Sequence, residues 1–283
     1  MISSSKNIPG VLLELSCTVE ILSIGNELLL GNTVNTNAAW LATKVTSLGG
    51  NVTRITTVAD SLHEISAAIK ESIDRKADFL ITTGGIGPTF DDMTLKAVAM
   101  ALRMRLRLDP VAVGMIREHY ARRFRGKKIS MTKPRLKMAY IPSKGTAIEN
   151  PVGTAPAVML SIETKVFCLP GVPSEAKAIF SNTVSKIIAA EAGGLRFLER
   201  WIKVDGIMES SLAPILDRVM LRWPGVYIKS HPRGVEANGR AHLELHFSIS
   251  SSDPKRAKSV LLGAIRELEN ELKGTRAKIS HFN

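Results

Sequence analysis

Cysteine is scarce. Only Cys17 and Cys168 occur in 283 residues, and they lie too far apart in sequence to form a metal-ligand pair. Cys168 sits inside the apolar run Val166–Leu169 and reads as a buried, inert thiol. The six histidines form no HExxH or HxH pattern, so a structural zinc site is not expected. Long hydrophobic runs are missing too. Val19–Ile24 and Phe79–Ile81 are strand-sized, far below the roughly 20 residues a membrane-spanning helix needs. Met1–Gly10 is Ser-rich with one Lys and lacks the apolar centre of a secretory signal, so the expected location is the cytoplasm, with no membrane partner. Aromatics make up only 5% of the chain. The basic clusters Arg103–Arg107, Arg122–Lys128 and Lys133–Lys137 carry little aromatic interleaving beyond Tyr120 and Phe124, which argues against stacking on bases. No internal repeat and no low-complexity segment occurs.

What is present is a core-forming chain, 45% apolar, with a net charge of +12. That charge fits attraction for polyanions or phosphorylated metabolites, and it equally fits a solvated basic surface.

Hydrophobic spacing predicts alternating strands and helices. Val19–Ile24 is a strand ending at Gly25, and Asn37–Leu48 is an amphipathic helix stopped by Gly49-Gly50. Val52–Val58 is a second strand, and Ser61 with Glu64 opens a helix whose buried stripe is Leu62, Ile65, Ile69 and Ile73. Asp78–Thr82 is a third strand, followed by the turn Thr83–Thr89 and a helix over Asp91–Leu102. This alternation implies a parallel sheet with helices on both faces. Asp109-Pro110 starts another helix; Met138–Ile141, Ala157–Ile162 and Lys165–Leu169 read as strands; Ser174–Ala190 reads as a helix. Gly193-Gly194 is the expected boundary before an α+β unit. Its predicted strands are Trp201–Val204, Val226–Lys229 and Leu243–Ile249, and its helices Ser210–Met220 and Asp253–Leu272.

The segment Thr82-Thr83-Gly84-Gly85-Ile86-Gly87-Pro88-Thr89-Phe90-Asp91-Asp92-Met93-Thr94 carries the most chemistry. A strand delivers a glycine-rich turn beyond its carboxyl end, where open parallel sheets bind ligands. Glycines let backbone N–H groups approach a phosphate, and the following helix start favours negative charge. No Gly-Lys-Ser/Thr follows, and Phe90 stands where a dinucleotide fingerprint has its third glycine. Asp91 and Asp92 read either as helix-start residues or as ligands of a hard divalent cation that reconciles them with a bound phosphate. Other candidates have plain readings as well. Glu27 fits a loop tie, Asn35 or Asn37 a helix cap, and Glu175 compensation of a helix dipole. Asp60 fits a turn, and Trp201 and Trp223 the core.

Together with Gly25-Asn26-Glu27-Leu28-Leu29-Leu30-Gly31, Asn35-Thr36-Asn37, Asp60, Asn150-Pro151-Val152-Gly153-Thr154-Ala155-Pro156 and Leu169-Pro170-Gly171-Val172-Pro173-Ser174-Glu175, this turn resembles the molybdopterin-binding (MoaB/MogA-type) domain superfamily. The nearest likeness is to the N-terminal domain of CinA-like (competence/damage-inducible) proteins, over Thr18 to Asn182. Gly206–Ser250 more weakly resembles the small KH-like domain that follows in that family. The resemblance implies an α/β three-layer fold with a mostly parallel sheet over residues 18–192, then an α+β KH-like domain over 195–275. It implies phosphate seating on Gly84, Gly85 and Gly87, with Thr89, Thr94, Glu27, Asn37, Gly153, Thr154, Pro170 and Gly171 contacting the ligand. Asp92 and Asp60 would be catalytic, and Asp92, Asp91 and Glu175 would hold Mg²⁺, Mn²⁺ or Co²⁺. Ala157 departs from the glycine frequent in the family at that turn. The nicotinamide-nucleotide amidase domain of bacterial CinA proteins is not expected here.

Three functions follow as expectations. One is a metal-dependent hydrolase of the pyrophosphate in ADP-ribose or a related dinucleotide such as FAD. Another is a molybdopterin-binding protein without cleavage. The third, a nucleic-acid binder, is disfavoured because no GxxG loop occurs from Gly206 to Asn283; Gly234–Gly239 has the wrong spacing. The family likeness also implies a homodimer.

Overall fold

A computed structural model describes residues 17–124, 129–235 and 241–281. Met1–Gly10, the end of the Arg122–Lys128 cluster and the second glycine of Gly234–Gly239 lie outside the described residues. Up to Ala192 the described chain forms one compact unit, and from Gly193 onward a second. Among the described residues no helix is long and apolar enough to cross a membrane.

In the first unit, β1 (Cys17–Ile24) leads through the single turn α1 (Asn26–Leu29) to α2 (Thr36–Ser47), β2 (Gly50–Val58), α3 (Leu62–Asp74), β3 (Phe79–Thr83) and α4 (Thr94–Ala101). The chain continues with β4 (Leu106–Leu108), α5 (Pro110–Arg123), α6 (Lys133–Lys137), β5 (Tyr140–Pro142), β6 (Gly145–Ile148), β7 (Ala157–Ser161) and β8 (Lys165–Leu169). The unit closes with α7 (Pro173–Ile179), a π-helical turn at Phe180–Val184 and α8 (Ser185–Glu191). Short polar side chains start the helices as their positions require: Asn35, Ser61 and Asp109 accept hydrogen bonds from the N–H groups of Ala38, Glu64 and Ala112.

The sheet order is β2-β1-β3-β8-β7-β6, with β2, β1, β3 and β8 mutually parallel and β7 antiparallel to both neighbours. Alternate residues of β1 explain the three layers. Val19 and Ile21 pack with Leu41, Val45, Phe167 and Phe180, whereas Leu22 and Ile24 pack with Ile65, Ile69, Val98 and Ile116. A strand buried on both faces needs helices on both. Cys168 is fully buried on the second side, and burial pushes its thiol up to about 12. This is the expected three-layer α/β fold.

β2 lies on one side of β1, and the chain then crosses over so that β3 lies on the other. The order therefore reverses between β1 and β3, and at such a switch point two loops diverge and leave a crevice.

The second unit is an antiparallel sheet, β10-β11-β9-β12, built from β9 (Arg196–Asp205), β10 (Tyr227–Val235), β11 (Ala241–Ser251) and β12 (Lys278–His281). α9 (Glu209–Arg222) and α10 (Pro254–Leu272) cover the face that carries Leu243, Leu245 and Phe247.

Several expectations need correction. α4 begins at Thr94, so Asp91 and Asp92 precede the helix and do not form its first turn. Met138 and Ala139 are not strand. They follow α6, and the short β4–β5 ribbon starts at Tyr140. The strands β4, β6 and β12 escaped the periodicity because three or four residues carry almost none. Trp201 lies outside the core, stacked on His246 at 4.3 Å between ring centroids.

Candidate functional site

Three loops leave adjacent strand ends. Gly84 donates its N–H to the carbonyl of Leu169 at 3.0 Å, and the α-carbon of Gly84 lies against Gly171. Gly84 has φ +101, and a Cβ there would stand 2.3 Å from the carbonyl oxygen of Ile24. Only glycine fits between the β1 and β3 ends. Gly85, at φ +67, lies equally tight on the hydroxyl of Thr94.

Thr94 is buried, donates its hydroxyl to Gly84 O at 2.8 Å and donates its N–H to Gly85 O at 2.9 Å. These bonds turn two carbonyls of the glycine turn inward. Among the described residues the N–H groups of Gly85, Ile86 and Gly87 have no acceptor. The three residues line a cavity of about 520 Å³, a place where an anion can meet backbone N–H groups.

The same cavity is lined by Glu27, Asp60, Gly84, Thr89, Asp91, Asp92, Thr154, Pro170, Gly171 and Glu175. The fold thus gathers segments more than a hundred residues apart in sequence. Three expected ligand contacts lie elsewhere. Thr94 is enclosed beneath the turn and braces it. Asn37 donates its amide to Gly171 O at 2.8 Å and positions that loop. Gly153 donates its N–H to Asn150 Oδ1 at 2.8 Å and borders a separate cavity of about 280 Å³.

Asp91 and Asp92 converge on one side chain. Thr89 Oγ1 lies 2.6 Å from Asp92 Oδ2 and also contacts Asp91 Oδ1. A hydroxyl has one proton, so it satisfies only one of the two carboxylates at a time. Asp92 Oδ2 also accepts the N–H of Thr89 at 2.8 Å. The Thr89 hydroxyl, the backbone N–H of Asp91 and the charge of Lys137 hold the Asp91 carboxyl below the usual aspartate range. Two carboxylates around one hydroxyl are chemically suited to a hard cation. Asp60 is partly engaged, because its Oδ2 accepts the N–H of Asn26 at 2.8 Å and so starts α1.

Glu175 does not join the aspartates. Asn150 donates its amide to Glu175 Oε2 at 2.6 Å and to Ala155 O at 2.9 Å, while Asn150 Oδ1 receives the N–H groups of Val152 and Gly153. The Glu175 carboxyl fills the space a Cβ on Gly153 would need, 2.1 Å away. Among the described residues no group of three or more His, Cys, Asp or Glu is placed to hold a metal ion. A cation at Asp91 and Asp92 would therefore depend on ligand oxygens for the rest of its coordination.

In sequence, Lys137 is simply the last residue of the basic cluster Lys133–Lys137. Its ammonium donates to the carbonyls of Gly87, Thr89 and Asp92, at 3.4 Å and 2.7 Å for the first and last. Burial lowers its pKa, against the opposing pull of Asp92 and Asp91. Nothing in the local sequence separates Lys137 from Lys133, because its partners lie 45 to 50 positions upstream. Asn150 could have been singled out, since it opens the Asn-Pro-Val-Gly-Thr-Ala-Pro segment.

A family model described as "Probable molybdopterin binding domain" matches residues 20–190. A protein of Pyrobaculum calidifontis is 41% identical over 257 residues, 90% of this chain and 96% of its own length. One from Pyrobaculum aerophilum is 42% identical over 264 residues, 92% of this chain and 97% of its own. The crystal structure of the protein CinA with unknown function from Thermoplasma acidophilum superposes with a TM-score of 0.55 at 40% identity, over 60% of this chain and 98% of that one. The chain belongs to the molybdopterin-binding domain family, as a CinA-like member of it.

Proposed function

We propose that the cavity at the β1–β3 switch point binds the phosphates of a dinucleotide and that the protein hydrolyses the pyrophosphate of ADP-ribose or a related compound. The observation that carries this reading is the pairing in one cavity of three residues whose N–H groups have no acceptor among the described residues with two carboxylates on a single hydroxyl. The N–H groups of Gly85, Ile86 and Gly87 would seat one phosphate. Asp92, held by Thr89, would face the bridging region. A divalent cation, when bound, would neutralise the aspartates and polarise the phosphoryl group. In the net reaction one P–O bond of the bridge breaks and water supplies the new oxygen, giving AMP and a phosphorylated partner. The substrate panel is ADP-ribose and FAD with Mg²⁺, Mn²⁺ or Co²⁺, with products identified by mass spectrometry. Turnover that falls at least a hundredfold in Asp92→Ala is expected. No turnover by the wild type, or equal turnover in the variant, refutes hydrolysis.

A second reading is a molybdopterin- or nucleotide-binding protein without hydrolysis, which uses the same phosphate-seating cavity and needs no metal ligands. Co-purified pterin fluorescence together with no turnover would select it.

A further inference from the structure

Asn150 is 8% exposed and does not line the phosphate cavity, yet its side chain joins two of the loops that do. Its amide is used to capacity. Oδ1 accepts the N–H groups of Val152 at 3.1 Å and Gly153 at 2.8 Å. Nδ2 donates to Ala155 O at 2.9 Å and to Glu175 Oε2 at 2.6 Å. A carboxamide has two lone pairs on its oxygen and two N–H donors, so nothing is left over for a ligand. Three of the bonds curl residues 150–155 around the side chain. The remaining one crosses to α7.

Among the described residues no other hydrogen bond joins residues 150–156 to residues 170–175. On one side of that bond stand Thr154 and Ala155, and on the other Pro170, Gly171 and Glu175, all of which line the cavity. The second group is held near the glycine turn, because Gly84 donates to Leu169 O at 3.0 Å. Thr154 has no such anchor of its own. Neither its N–H nor its hydroxyl has a partner among the described residues, so the loop alone sets where it stands. The Glu175 carboxyl likewise has no donor but Asn150 among the described residues.

We propose that Asn150 is a positioning residue of the phosphate site: without touching the ligand, it sets Thr154 and the Glu175 carboxyl in the cavity wall. The assignment rests on the phosphate-seating reading above and adds the side chain that shapes the wall formed by the other two loops. Its four partners, two donors and two acceptors, call for a carboxamide. Aspartate has the same shape but no donor, and it would bring a second carboxylate against Glu175. Alanine removes every bond and adds no charge.

Calorimetric titration of the full chain with inorganic pyrophosphate, read beside urea unfolding, tests it. Asn150→Ala and Asn150→Asp are each expected to bind pyrophosphate about tenfold more weakly, as when one hydrogen bond to a charged group is lost. The double variant Asn150→Asp with Glu175→Gln exchanges donor and acceptor across the same pair and keeps the total charge. It is expected to recover most of the affinity, because the new amide donates to the new carboxylate. Wild-type affinity in Asn150→Ala overturns the assignment, and so does a loss in Asn150→Asp that the double variant does not repair. A lower urea midpoint with unchanged affinity overturns it too, since the bond then serves the fold alone. Should Asn150→Asp not fold, the double variant decides: wild-type affinity upholds the assignment, and weak binding or failure to fold overturns it. Wild-type protein that binds no pyrophosphate overturns the phosphate-seating reading as well.

Discussion

The ammonium of Lys137 donates to the backbone carbonyl of Asp92 at 2.7 Å, and through it a short helix holds the loop that carries both candidate metal-binding aspartates. The same nitrogen also gathers the carbonyls of Gly87 and Thr89. Replacing it with methionine keeps the aliphatic stem but removes every donor. Lys137→Met is expected to fold and to bind pyrophosphate about tenfold more weakly, the scale of one hydrogen bond from a charged donor. Unchanged affinity by titration would show that the loop holds its shape unaided.

Gly84 and Gly31 both have positive φ but differ in their surroundings. A Cβ on Gly84 meets the Ile24 carbonyl at 2.3 Å, whereas one on Gly31 meets nothing within 4 Å. Gly31→Ala should cost about 1 kcal/mol for its backbone conformation alone. Gly84→Ala should cost about 2 kcal/mol more, because strand ends must separate. Urea unfolding of the two variants measures the difference; equal losses would mean that the β1–β3 junction yields easily.

Glu20 is 5% exposed and receives two hydrogen bonds from Arg75, both at 2.7 Å. Burial pushes its carboxyl up, but the hydrogen bonds and charge of Arg75, together with Ser72 and the charge of Arg54, outweigh this and hold it below the ordinary 4.5. A depressed carboxylate contributes its stability above the ordinary value and loses it as pH falls through the lowered one. Arg75→Ala should cost about 2–3 kcal/mol at pH 7, because a buried charge loses its partner while the lost guanidinium was itself partly exposed. In the variant burial is opposed only by the weaker influences of Ser72 and Arg54, so acidification from pH 7 should narrow the gap to wild type. Unfolding curves from pH 7 to 3 decide this, and a constant gap would contradict it.

The thiol of Cys168, pushed up to about 12 by burial, has almost no thiolate at neutral pH. Cys17 is buried as well. A thiol reagent at pH 8 should find no reactive cysteine in the native protein and both after denaturation. Rapid labelling of the native chain would place one of them near the surface.

Much of this molecule follows from neighbours in sequence. The strand–helix alternation, the helix starts at Asn35, Ser61, Asp109 and Asp253, and the glycine turn all depend on residues within a few positions of one another. Backbone sterics and hydrophobic periodicity act over that range. The family likeness likewise rests on short segments in order. Asp91 and Asp92 show where such reasoning fails. Helix-start composition suits them, yet the Thr89 hydroxyl and the Lys137 ammonium hold them in a loop outside α4.

The sequence by itself determined the α/β class, the two-part organisation of its patterns and the place of the glycine turn, because each is encoded by local spacing. Tertiary structure alone decided which side chains share the cavity. It placed Thr94 beneath the turn, tied Glu175 to Asn150 and brought Lys137 against the carbonyls of a loop more than forty residues away. Those choices depend on the reversal of strand order between β1 and β3 and on desolvated polar groups finding partners across the chain, and no local pattern records either.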